Sequence, residues 1–150
     1  MIAAIDTNVL IYAVDRVSDR RKHEIAADLL AKLAAARRGL LPLQALAEFY
    51  AVAIRKSEVA PTEAAAFVEA FAEVMPVREA NLADAIDAMR VHRDHGVSFW
   101  DGMLWSVARR SGARIILSED FQDGRVLEGV RFVNPFATAN ASALAEIVGN

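Results

Sequence analysis

Apolar residues fall into short blocks along the chain, and the spacing within each block predicts buried strands alternating with amphipathic helices. Ile2, Ala3, Ala4 and Ile5 form a continuous apolar run of strand length, as in strands covered on both faces. Val9, Leu10, Tyr12 and Ala13 then carry helical spacing up to Asp15. Ile25, Ala26, Leu29, Leu30 and Leu33 define a second helix. It is expected to stop near Arg37-Arg38-Gly39, where cations complement the C-terminal dipole and Gly can cap. Leu40-Leu41-Pro42 reads as a second short strand. Residues 44–55 are helical and apolar nearly all round, so most of that helix is expected to be buried.

Pro61-Thr62-Glu63 opens a further helix with Phe67, Val68, Phe71 and Val74 along one face. Its Phe pair at i, i+4 reads as core or subunit interface rather than a base-stacking platform. Met75-Pro76-Val77 breaks that helix and holds a brief strand. Asn81 caps a helix through Leu82, Ile86, Met89 and Val91 that ends at Gly96. Ser98-Phe99-Trp100-Asp101 has capping-box spacing ahead of a stripe of Met103, Leu104, Val107 and Ala108, closed by Gly112. Ile115-Ile116-Leu117 is a buried strand running into Ser118-Glu119-Asp120, and residues 130–133 form the last strand after a turn at 121–124. Strands separated by helices, without an Asn-Gly hairpin, predict an α/β fold: a three-layer α/β/α sandwich around a mostly parallel sheet. One domain spans 1–150, with a core over about 1–136 and a tail, 137–150, whose pattern admits a terminal helix.

Composition narrows the class. Hydrophobic residues make up 55% and charged residues 25%, a globular balance. The absence of cysteine excludes a disulfide framework and a thiolate metal site, and fits a reducing cytoplasm. Asp6 interrupts the first apolar run before a signal sequence could form, and residues 40–54 are broken by Gln44 and Glu48, so no membrane association is expected. A net charge of −3 argues against a stable sequence-independent nucleic-acid binder but not against an enzyme that meets phosphate through bound cations. The segment 16–23 is basic (Arg16, Arg20, Arg21, Lys22, His23). Its plain reading is a solvated loop and helix start capped by Ser18 or Asp19; its functional reading is a phosphate- or partner-facing patch. His92 and His95 have metal-ligand spacing, but dipole complementarity at a helix C-terminus explains them more cheaply.

The acids form the chemical pattern. Asp6, Asp101 and Asp120 stand at strand-to-helix transitions or in a first helical turn, positions that share one edge of a parallel sheet. Each has a structural explanation alone: a helix cap, half of a capping box, a turn. Glu48 sits among Leu46, Ala47, Phe49 and Tyr50 in the apolar helix, where a buried carboxylate needs a partner or a metal. Four converging carboxylates repel unless cations neutralise them, and oxygen-only ligands select Mg²⁺, with Mn²⁺ a plausible substitute.

Asp6-Thr7-Asn8-Val9-Leu10-Ile11-Tyr12, Glu48 in its apolar helix, Phe99-Trp100-Asp101, and Ser118-Glu119-Asp120 through Gly124 to Asn134-Pro135-Phe136 together resemble the PIN-domain family, and within it the VapC-type toxin ribonucleases of prokaryotic toxin–antitoxin pairs. The resemblance runs from Met1 to about Phe136. It implies an acidic site on Asp6, Glu48, Asp101 and Asp120, with Ser118 supporting the first acid and Asp123 near a second, less regular acidic position. Asp6 and Asp120 are the expected main metal ligands, Asp101 completes the shell, and Glu48 orients water or holds a second ion. The resemblance further implies Mg²⁺-dependent hydrolysis of RNA to 5′-phosphate and 3′-hydroxyl ends, a cognate antitoxin that covers the groove, and a homodimer. Thr7 and Asn8 are read as structural, turning strand into helix.

Two other acidic-pocket classes fall on single residues. A receiver-type switch needs a late lysine, and none follows Lys56; a haloacid-dehalogenase-type phosphatase needs a second Asp where Asn8 stands. The remaining alternative is a PIN-like protein-interaction module with an idle or inhibited metal site. No motif names the RNA that is cut; the basic segment 16–23 and Arg55, Arg93, Arg109 and Arg110 are the candidates for substrate contact.

Overall fold

The computed structural model describes residues 1–56 and 58–149. Its centre is a six-stranded sheet in the order β3-β2-β1-β4-β6-β5. The strands are β1 (Ile2–Ile5), β2 (Gly39–Pro42), β3 (Val77–Arg78), β4 (Ala113–Leu117), β5 (Val126–Leu127) and β6 (Val130–Val133). All neighbours pair in parallel except β5 with β6. The chain moves outward from β1 through β2 to β3, then returns to lay β4 on the other side of β1. The order therefore reverses between β1 and β4, where open α/β sheets leave a crevice at their carboxyl ends.

Period-two alternation sends neighbouring residues to opposite faces, giving two cores. Ala3, Ile5, Leu41, Ile115, Leu117 and Val133 face one side, against helices α1 (Thr7–Val14), α2 (Arg20–Ala35), α3 (Leu43–Lys56), α4 (Pro61–Val74) and α7 (Ala141–Val148). Ala4, Leu40, Ile116 and Phe132 face the other, against Val91 of α5 (Leu82–His95) and Leu104, Trp105 and Ala108 of α6 (Phe99–Arg110). These are the three layers expected of the pattern. Phe67 and Phe71 of α4 meet Phe49 edge-on, with ring centroids 6.4 and 5.4 Å away, which makes the Phe pair core.

Four details differ from the sequence pattern. The second helix does not use Gly39 as its cap: Ala36 ends it, Arg37 takes the left-handed turn at φ 55°, and Gly39 already belongs to β2. Helix α3 is not mostly buried, because only Ala45, Leu46, Phe49 and Ala53 face the core; apolar composition hid a one-sided helix. In α5 the residues turned inward are Asp84, Ala88 and Val91, while Leu82, Ile86 and Met89 are exposed. The carboxylate of Asp84 takes the place of an apolar contact by accepting bonds from Ser106 Oγ (2.9 Å) and Arg110 NH2 (2.8 Å). Finally, β5 and β6 make a two-residue hairpin through Glu128 and Gly129, both at positive φ (45° and 84°). That is the primed-turn geometry matching strand twist, here built from Glu-Gly and steadied by Arg90 on the Glu128 carboxylate at 2.8 and 3.1 Å. The tail forms a short 3₁₀ turn (Thr138–Asn140) and α7, tied down by Arg38 NH1 donating to the Ile147 carbonyl at 3.0 Å; Asn150 lies outside the described residues.

Helices α5 and α6 pack closely at Gly102, where an added Cβ would stand 3.1 Å from the Ala88 Cα and 3.2 Å from its Cβ and carbonyl oxygen. Two of those atoms are backbone and cannot rotate away. Gly102→Ala is expected to destabilise the protein by about 1 kcal/mol in urea unfolding, against the ~1 kcal/mol that helix propensity alone would return. Gly102→Val is expected to lose more. An alanine variant more stable than wild type would show that α5 yields at this crossing.

Candidate active site at the carboxyl edge of the sheet

The register of β1 against β4 sets Ile5 beside Leu117, so the residues that leave the two strands, Asp6 and Ser118, meet at the same edge. Asp6 caps α1, with Oδ1 accepting from the Thr7 N–H at 2.8 Å. Its other oxygen accepts from Ser118 Oγ at 2.7 Å and from Asn8 Nδ2 at 3.3 Å. Asp6 is nonetheless buried, 8% exposed. That burial raises its carboxyl, the Ser118 and Thr7 bonds oppose the rise, and the nearby charges of Asp120 and Asp101 add to it; the result is a pKa pushed up to about 6.

Asn8 does more than turn the chain. Its Nδ2 also donates to Ser118 Oγ (3.0 Å) and Asp120 Oδ2 (3.1 Å), while its Oδ1 accepts from the Glu119 N–H (3.3 Å). One amide thus bridges Asp6, Ser118 and Asp120. Thr7 ties in the opposite wall, donating to the Ala45 carbonyl at 3.0 Å and reaching Glu48 Oε2 at 3.3 Å. Reading Thr7 and Asn8 as purely structural is therefore corrected. The spacing carried the signal: polar side chains one and two residues after a capping acid fall in the first helical turn and face the same edge.

Glu48 is exposed, not buried, so burial is not what explains it. It stands on the wall of α3 that faces the groove, where Gln44 Nε2 reaches Oε1 at 3.3 Å. Asp101 lies in the first turn of α6, half-buried. Only one half of the proposed capping box forms: Ser98 Oγ accepts from the Asp101 N–H at 3.3 Å, and no bond to the Asp101 carboxylate occurs among the described residues. Asp120 is exposed, its N–H donating to Ser118 Oγ at 3.1 Å. Asp6, Glu48, Asp101 and Asp120 all line one groove, together with Thr7, Asn8, Tyr12, Asp15, Glu119 and Lys56.

Among the described residues no three carboxylates or imidazoles form a ready-made cage for one ion. The donor set still fits a hard divalent cation. It is oxygen-only, Asp6 is held against its charge by burial and by two neighbouring acids, and Mg²⁺ keeps several waters rather than demanding an all-protein shell.

Asp123 does not line this groove. Its oxygens accept from the Asn134 N–H (2.9 Å) and Asn140 Nδ2 (3.0 Å), fastening the loop before α7, so it is a structural clamp here. The basic segment 16–23 divides: Asp19 caps α2, Arg20 pairs with Glu24, and Arg21 NH2 donates to the Phe136 carbonyl. Lys22 binds Glu119 Oε2 at 2.7 Å, and Tyr12 OH donates to Glu119 Oε1 at 3.0 Å. Arg110 is committed to Asp84, and Arg109 lies 3.8 Å from Glu128. His92 Nδ1 bonds the Val97 carbonyl at 2.8 Å, satisfying the helix end. Tyr12, Glu119 and Lys56 line the groove but were not singled out as site residues, because only the long-range packing of α1, α3 and the end of β4 brings them to it.

A family model described as PIN domain matches residues 3–126. No curated protein matches the sequence. Among solved structures, the chain is similar to VapC20 of Mycobacterium tuberculosis, described as a sarcin–ricin loop cleaving toxin. The identity is 19% over 76% of this chain and 86% of that one, with a TM-score of 0.58. It is similar to PAE2754 of Pyrobaculum aerophilum, with 16% identity over 100% of this chain and 97% of that one and a TM-score of 0.65. It is also similar to a toxin–antitoxin complex from Klebsiella pneumoniae, with 18% identity over 89% and 97% and a TM-score of 0.63. At these identities the structures show a shared fold.

The Asp6 carboxyl gives a pH dependence of definite sign. Its folded pKa of about 6 lies above the ordinary 3.8, so the native state holds this proton more tightly than the unfolded chain does. In EDTA, stability is expected to fall as pH rises from about 4 to about 6, by up to about 3 kcal/mol from this group. Asp6→Asn removes the effect, so the variant should unfold at higher temperature than wild type at pH 7.5 and at a similar one at pH 4. Parallel pH profiles for the two proteins would contradict the assignment.

Proposed function

The chain belongs to the PIN domain family, and on that premise we propose that it is a Mg²⁺-dependent endoribonuclease, the toxin of a toxin–antitoxin pair. The observation that carries the reading is the convergence of Asp6, Glu48, Asp101 and Asp120 on one groove at the strand-order reversal, with the Asp6 pKa raised by its surroundings to about 6. The likeness to VapC20 and to the Klebsiella pneumoniae complex supports the toxin reading at the level of fold.

Asp6 and Asp120 are the proposed main ligands of the cation, with Asp101 completing its shell directly or through water. When bound, the cation offsets the charge of the acids and the phosphate and lowers the pKa of a coordinated water. Ser118 and Asn8 hold the oxygens of Asp6 and Asp120 in register by donating to them, which fixes the pair before substrate arrives. Glu48, tethered through Thr7 and Gln44, accepts a hydrogen bond from the attacking water and orients it toward phosphorus. The products are a 5′-phosphate and a 3′-hydroxyl. The same acidic groove is where a cognate antitoxin would place a basic side chain; a homodimer and a cytoplasmic site of action complete the reading. No helix among the described residues is long and apolar enough to cross a membrane.

A pure interaction module with an idle or inhibited site would share the same groove, and cleavage separates the two readings. RNA incubated with the protein should be cut in Mg²⁺ and not in EDTA. Asp6→Asn and Asp101→Asn should each lower the rate by at least about a hundredfold while leaving circular dichroism unchanged. Sequencing RNA ends from cells expressing wild type or Asp6→Asn identifies the target. Full activity in either variant would sink the assignment.

A further inference from the structure

The turn that carries Asp120 is held by side chains. Strand β4 ends at Leu117, and the Ser118 N–H still donates to the Val133 carbonyl at 3.1 Å. Donation to a backbone carbonyl resumes only at Gly124, whose N–H reaches that of Phe132 at 2.8 Å. Between them, among the described residues, no N–H of 119–123 donates to a backbone carbonyl. The Glu119 N–H goes instead to Asn8 Oδ1 and the Asp120 N–H to Ser118 Oγ. A segment without a ladder takes its place from what its polar groups grip. Asp123 grips Asn134 and Asn140 at the far end of the turn. Glu119 is the grip at the near end.

Two helices supply the clamp on Glu119. Lys22, in the first turn of α2, donates to Oε2 at 2.7 Å, and Tyr12 of α1 donates to Oε1 at 3.0 Å. Both carboxylate oxygens are thereby engaged. Lys22 Nζ also reaches Tyr12 OH at 3.4 Å and lies 4.8 Å from the Tyr12 ring centroid and 5.4 Å from that of Phe136. The two rings pack edge-on, 5.0 Å apart. The parts of the clamp are themselves fixed: the Lys22 N–H donates to Asp19, and Arg21 donates to the Phe136 carbonyl. The Lys22 and Glu119 side chains are 27% and 22% exposed, and no other ion pair among the described residues keeps both partners so well covered.

We propose that Glu119 is a positioning residue for the cation site: clamped by Lys22 and Tyr12, it sets, through the peptide that joins it to Asp120, where the Asp120 carboxylate stands. The proposal rests on the cation reading of the groove given above. Asn8 Nδ2 holds Asp120 Oδ2 at 3.1 Å from one side, but Asp120 is exposed and has no ion pair among the described residues. The Glu119 clamp is a second restraint, on the chain rather than on the carboxylate. Together they place the ligand before a cation arrives, as outer partners of metal ligands do.

Charge and position predict opposite signs for one variant, which separates them. Lys22→Met adds a net negative charge beside the groove and, through charge alone, would tighten a divalent cation; Glu119→Gln removes one and would loosen it. Through position, both loosen it. Mn²⁺ titrated into the full-length protein, with the free ion read by electron paramagnetic resonance, should show a Kd about tenfold weaker in each variant. Lys22→Arg, which still pairs with Glu119, should stay close to wild type. Lys22→Met/Glu119→Gln should be no weaker than either single variant, because the pair acts as one unit. Charge alone predicts wild-type affinity for that double variant, and it leaves no unpaired charge, so it decides the question where Lys22→Met does not fold. The Mg²⁺ concentration giving half-maximal RNA cleavage should rise by the same factor. Tighter Mn²⁺ binding by Lys22→Met, or wild-type affinity in the single and double variants, overturns the positioning role; loss of Mn²⁺ in Asp6→Asn then leaves the nuclease reading standing. Wild type that binds Mn²⁺ no better than Asp6→Asn removes the cation reading and the positioning role together.

Discussion

Ile5 stands beside Leu117 in a parallel ladder, and everything at the site follows from that register. Parallel strands point their carboxyl ends the same way, so the residues that leave β1 and β4 are delivered to one edge, and the 2.7 Å bond from Ser118 to Asp6 joins two residues 112 apart in the chain. A slip of one residue would turn each side chain to the opposite face of the sheet. The buried alternation of Ala3, Ala4 and Ile5 against Ile115, Ile116 and Leu117 guards against it. The same residues that make the cores therefore fix the chemistry.

The site is built against its own electrostatics. Asp6 is buried while Asp101 and Asp120 stand near enough to raise its pKa further, and its two strongest bonds only partly offset this. Asn8 sits among these acids as a neutral donor, giving Asp6 and Asp120 a shared partner. Glu119, one residue from Asp120, has its charge answered instead by Lys22, with Tyr12 donating to its second oxygen. Acids of similar sequence context are thereby separated into a set with no ion pair among the described residues and one already neutralised within the protein. Asp123, close by in sequence, is drawn away to hold Asn134 and Asn140.

Much of the fold was legible because periodicity records burial. The run Ile2–Ile5, the apolar end of β4 at Ile115, Ile116 and Leu117, the cap at Ser18 or Asp19 that proves to be Asp19, the cap at Asn81, and the helix opened by Pro61 are local patterns with local causes. The failures are equally specific. Apolar residues around α3 suggested a buried helix, yet Leu43 and Tyr50 lie outside, so Glu48 reached the groove for a reason other than the burial first assigned to it. The β5–β6 hairpin escaped notice because Glu128 takes a left-handed turn that Asn or Gly ordinarily fills. Leu82, Ile86 and Met89 mimic a core stripe while Asp84, paired with Arg110 and Ser106, takes the inward place.

The sequence by itself determined which residues could act: the acids at strand ends, the hydroxyl at Ser118, the alternation that calls for a parallel sheet, and the lack of thiol ligands. Tertiary structure decided which of them meet. Asn8 with Asp120, Thr7 with Glu48, Lys22 with Glu119 and Gln44 with Trp100 are pairs 112, 41, 97 and 56 residues apart. Such pairs leave no periodic trace, because local spacing encodes only which face a residue occupies. Which other element that face meets is set by the order in which the strands assemble.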